Sequence, residues 1–172
     1  AWWLGFRFGL VATVLVAAVL GYDLGMKRTV LGPWVMGICR GANLGLGLVV
    51  AASDDVSRLW AVAGYVVYVA GVTFVSRQET YTGRTNGLRT GFALIVAGVF
   101  GVLLSIVLDS GYRLVPRNFG TESGMTILAI ILLFLLLKVL SKRLSDALAD
   151  PAPATIGGMV KTGVISLPLL DF

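Results

Sequence analysis

Residues 126–140 read TILAIILLFLLLKVL, an apolar run interrupted by one charge, Lys138. A helix of that composition has no polar face to turn to water, so it needs a solvent as apolar as itself. The run has company. Six apolar segments can be marked, at 2–21, 32–53, 59–75, 91–108, 125–140 and 156–172, against the ~17–25 residues that a membrane-crossing helix requires. The last contains Lys161 and Pro168. None alternates polar with apolar as a barrel strand would, and only helices and closed barrels satisfy the backbone in lipid. The expected fold is all-α, a polytopic transmembrane helical bundle with about six spans.

The whole chain supports a bilayer environment. It is 57% hydrophobic and 13% charged, more apolar surface than a soluble domain of this length can bury. There is no histidine, which removes His-based triads, His metal sites and His proton switches. The single cysteine, Cys39, removes an internal disulfide and any CxxC motif; within an apolar helix it reads as a small hydrophobe. The net charge of +5 sits between the apolar segments, where Lys and Arg set topology rather than bind nucleic acid. One set of loops carries Lys27 and Arg28, then Arg77, Arg84 and Arg89, then Lys142 and Arg143. The other set balances Arg58 with Asp54 and Asp55, and Arg113 and Arg117 with Asp109 and Glu122. By the positive-inside rule, loops 22–31, 76–90 and 141–155 are expected to be cytoplasmic. The chain starts inside an apolar run without Met, so residues 1–172 read as part of a single transmembrane domain truncated at both ends.

The polar residues that demand a reason lie in two places. Arg40 falls eight residues past Gly32, ~12 Å along a helix, and a charge at that depth calls for a polar cavity, an anion or a structural contact between helices. Asn43 follows on the same side. Lys27 and Arg28, adjacent at a helix mouth, suit a phosphate or diphosphate, with a point charge beside a bidentate fork; alone they are also ordinary topology anchors. Tyr22 and Asp23 precede them as possible mouth or acceptor contacts, or as an interfacial aromatic and a solvated helix-end charge. The second place is Arg77, Gln78 and Glu79 at the end of the third run. Arg77 and Glu79 lie two apart and point to different helix faces, so they would not pair. Glu79 could meet Arg40, Lys27 or Arg28, and could hold a hard cation such as Mg²⁺; as a bare loop carboxylate it would simply be solvated. Gly37, Gly41 and Gly45 recur every four residues, a stripe that lets another helix approach closely. Asp150, Pro151, Ala152 and Pro153 read as a rigid turn.

Tyr22-x-x-x-x-Lys27-Arg28-Thr29-x-Leu31-Gly32-Pro33, followed by Met36-Gly37 and then Gly37-Ile38-Cys39-Arg40-Gly41-Ala42-Asn43-Leu44, resembles the loop after the fourth helix of UbiA-type intramembrane prenyltransferases, in a divergent bacterial branch. Gly71-Val72-Thr73 and Ser76-Arg77-Gln78-Glu79 are similar to the loop after that family's sixth helix. The resemblance implies that the chain covers helices four to nine of a nine-helix protein of the bacterial inner membrane. It implies an enzyme that moves a prenyl group from a prenyl diphosphate to an aromatic or lipid-like acceptor, inactive as this fragment alone. Magnesium is the implied cofactor, with Glu79 as its ligand. Lys27, Arg28, Arg40, Asn43 and Arg77 would bind the diphosphate, on the cytoplasmic face. Two features depart from the family. Its N-D-x-x-D motif would lie upstream, and its D-x-x-x-D is replaced by residues 76–80 with Glu79 the sole acid.

Two other classes fit the same residues. A secondary transporter would line an anion path with Arg40 and Asn43, and would carry a repeat of the Arg-containing helix. A non-catalytic membrane protein would hold an isoprenoid or quinone without turnover. All three share the lipid bilayer as partner, and none involves nucleic acid.

Overall fold

The computed structural model describes residues 2–50, 56–79, 85–112 and 121–170, and every regular element among them is helical. In chain order these are α1 (Trp2–Asp23), a 3₁₀ turn (Met26–Arg28), α2 (Gly32–Val50), α3 (Val56–Gln78), α4 (Thr85–Tyr112), α5 (Thr121–Ala149), α6 (Pro153–Ile165) and the short α7 (Leu167–Leu170). Among the described residues, three helical stretches are long and apolar enough to cross a membrane: Gly5–Asp23, Arg58–Gln78 and Asn86–Leu108. In α2 the apolar run is broken by Arg40 and Asn43, and in α5 it runs out into Lys138, Lys142 and Arg143. At ~1.5 Å per residue α6 is only about 20 Å long, short of the ~30 Å hydrocarbon core.

Helix packing in lipid gains nothing from hiding apolar surface, so close backbone approach has to do that work. The α3–α4 hairpin shows how. Gly64 and Gly71 on α3, seven residues apart, meet Gly98 and Gly91 on the antiparallel α4, also seven apart. A Cβ on Gly64 would stand 2.7 Å from the Gly98 carbonyl oxygen and 2.7 Å from the Val102 amide nitrogen. One on Gly71 would stand 2.7 Å from the Gly91 carbonyl oxygen, and one on Gly98 would lie 2.5 Å from the Tyr68 amide nitrogen. No side chain fits between these backbones.

α3 is the central post. Its other faces meet α2, where Gly37 and Gly41 receive Val66, and α6, where a Cβ on Gly163 would lie 2.9 Å from Val72. Tyr68, Val75, Leu88, Ile95, Val99, Leu133, Leu140 and Met159 close the core among α3, α4, α5 and α6. Tyr68 is wholly buried, so its phenol must be satisfied inside. It donates to the Gly163 carbonyl oxygen at 3.1 Å and pairs with the Ser166 hydroxyl at 2.6 Å. α1 lies at the edge: none of its membrane-crossing window is buried, and it packs on α2 and the 3₁₀ turn.

Two sequence expectations change. The segment expected at 156–172 is not one helix: it breaks at Ser166, one residue before the Leu167–Pro168 step, and residues 171–172 lie outside the described set. The expected loops are also shorter. Residues 76–78, 85–90 and 141–149 are still helical, because polarity does not stop a helix and only lost backbone partners do. Asp150, Pro151 and Ala152 do form the turn, and Pro153 starts α6, where its missing N–H costs nothing.

Candidate functional site

The α1–α2 connection is a hydrogen-bonded corner. α1 runs out at Leu24, whose N–H still reaches the Leu20 carbonyl oxygen at 2.8 Å. Gly25 then takes φ 141°, a region that side-chain-bearing residues rarely adopt. The 3₁₀ turn that follows is closed by Arg28 N–H to Gly25 O at 3.0 Å and Thr29 N–H to Met26 O at 3.0 Å, and the Thr29 hydroxyl adds a 2.8 Å bond to Met26 O. Gly32 N–H donates to Thr29 O at 3.1 Å as α2 begins. Lys27 and Arg28 are therefore exposed side chains on a backbone with a defined shape.

Arg77 fixes that corner from outside. From the last turn of α3 its Nη1 donates to the Thr29 carbonyl oxygen at 2.6 Å, and its Nη2 donates to the Lys27 carbonyl oxygen. Gly32 is buried beneath this guanidinium, and a Cβ there would collide with Nη2. Arg77 thus holds the turn that presents Lys27 and Arg28, with two of its forked donors committed to carbonyls.

The last two residues of α3 and the one that follows reach three different neighbours, as steps of ~100° around a helix end favour. Arg77 goes to the α1–α2 corner. Gln78 lies against Gly87 at the start of α4, its Oε1 buried without a hydrogen-bond partner among the described residues. Glu79 turns to α6, where a Cβ on Gly157 would lie 3.0 Å from its Oε1. Arg143 of α5 borders the next residue, Gly158, at 3.8 Å from where its Cβ would be. Glu79 is exposed. Among the described residues no three His, Cys, Asp or Glu side chains gather to hold a metal ion. Glu79 offers one carboxylate, and magnesium is held by one or two carboxylates together with water and substrate phosphates.

The remaining sequence candidates spread over α1 and α2. Tyr22 is half-buried in the last turn of α1, and Asp23 is exposed beside it. Asp23 is within electrostatic reach of Cys39, the residue before Arg40. Arg40 and Asn43 are both exposed on α2, so the structure gives Arg40 no buried polar pocket. Gly37 and Gly41 serve α2–α3 packing, while Gly45 is looser, with Val11 of α1 3.7 Å from its Cβ position. Thr80 and Arg84 lie outside the described residues, as do Asp54, Asp55, Arg113 and Arg117.

Two features had no obvious sequence signal. Arg77's partners are backbone carbonyls, which no residue type announces. The Gly157–Gly158 pair, which makes room for Glu79 and borders Arg143, was visible as two adjacent glycines but not as a contact with α3. Compared with protein-family models, curated proteins and solved structures, the chain finds no match in any of the three.

Proposed function

We propose that this chain is the helix-four-to-nine portion of a UbiA-like intramembrane prenyltransferase, with its diphosphate-handling mouth at the Lys27–Arg28 corner. One observation carries the reading. Arg77, from one motif-like segment, is hydrogen-bonded to the carbonyls of Lys27 and Thr29 in the other. Two stretches that resemble family motifs, nearly fifty residues apart, are thereby joined at one end of the bundle.

The chemistry asks for cations where a diphosphate departs. The bond between the allylic carbon and the diphosphate oxygen breaks, and its electron pair leaves on oxygen. The allylic cation then alkylates the acceptor, which gives up a proton to the released diphosphate. In this reading Lys27 and Arg28 bind and stabilise the leaving anion, on a backbone that Arg77 holds in place before substrate arrives. Arg40 and Asn43 contact the substrate deeper along α2, and Tyr22 and Asp23 border the acceptor. Glu79 is the residue that would offer magnesium a carboxylate, and the ion would supply charge neutralisation to the diphosphate. In this reading the mouth lies on the cytoplasmic side of a bacterial inner membrane.

A non-catalytic isoprenoid- or quinone-binding protein is the second reading, favoured by the turning of Glu79 onto α6. Full-length protein incubated with a labelled prenyl diphosphate, with and without Mg²⁺, separates the two. Diphosphate release that is lost in Arg40→Ala and in Lys27→Ala/Arg28→Ala supports the enzyme. Binding of the labelled compound without release sinks it and leaves the binding protein.

A further inference from the structure

We draw no further inference here: the strongest candidate, the apolar cavity of about 550 Å³ among α1, α2 and α3, with Arg7 and Arg58 in its lining, carries nothing because nothing in the structure shows what covers it.

Discussion

Arg77 donates a hydrogen bond from Nη2 to the backbone carbonyl oxygen of Lys27, across a separation of 50 residues. The bond makes the end of α3 part of the α1–α2 corner. Arg77→Ala should therefore loosen the turn between Gly25 and Gly32 while leaving the helices in place. A hydrogen bond to a charged group contributes about 1.5–3 kcal/mol, and partial exposure lowers this, so we expect a total loss of about 1–2 kcal/mol. Limited proteolysis should show new cleavage next to Lys27 and Arg28. Arg77→Lys should rescue only part, since an ammonium does not reproduce the two-pronged geometry. An unchanged digestion pattern in Arg77→Ala would rule the clamp out.

The α3–α4 seam should tolerate no side chain. Gly64→Ala, Gly71→Ala and Gly98→Ala each place a methyl group within 2.7 Å of the partner helix backbone. Overpacking costs about 1–3 kcal/mol and occasionally more, and backbone cannot move aside as a flexible side chain can. Thermal unfolding in detergent should drop for all three. Gly9→Ala, where nothing stands within 4 Å of the Cβ position, should be neutral or slightly stabilising. Equal behaviour of Gly9 and Gly98 variants would contradict the seam.

The Tyr68–Ser166 pair joins α3 to the break between α6 and α7. Tyr68→Phe removes the bonds to both Ser166 and Gly163, at about 1 kcal/mol net for each. Ser166→Ala should cost less, because the phenol keeps the Gly163 carbonyl. A double-mutant cycle isolates the shared term, which should fall between about 0.5 and 1.5 kcal/mol. A coupling of zero would mean that the two hydroxyls do not meet.

Arg40 separates structure from function. Because it is exposed on α2, Arg40→Ala should change stability by no more than about 0.5 kcal/mol. Under the proposed activity the same variant loses diphosphate release. A stability loss of several kcal/mol would instead reveal the interhelical contact that a charge in an apolar helix could also serve.

Much of the architecture could be read from the chain because helices in lipid announce themselves by apolar length. The packing partners of Gly37 and Gly41 were half legible: the four-residue spacing marked a face, and the structure supplied Val66 opposite. The glycines of α3 and α4 were harder to see. Their seven-residue spacing becomes a seam only when two antiparallel helices are set in register, and no single helix carries that information. The site divides in the same way. Lys27 and Arg28 could be picked out as adjacent cations, whereas Arg77 looked like another anion ligand because its carbonyl partners have no residue identity. Arg7, in the first apolar run, and Arg58, in a loop that balances it with Asp54 and Asp55, carry no sign of each other in the sequence. Only the fold brings them to one cavity.

With no side chain between their backbones, α3 and α4 have no layer of rotamers to slide over, so the pair behaves as one stiff beam. The helices around it differ in grip. α6 is tied to the beam through Tyr68 and α2 through Gly37 and Gly41 on Val66, whereas α1 packs mainly on α2 and the turn. A rearrangement that admits or releases a long hydrophobic molecule would then fall on α1, the helix outside that grip. Arg77 would pin one end of it through the corner that it holds.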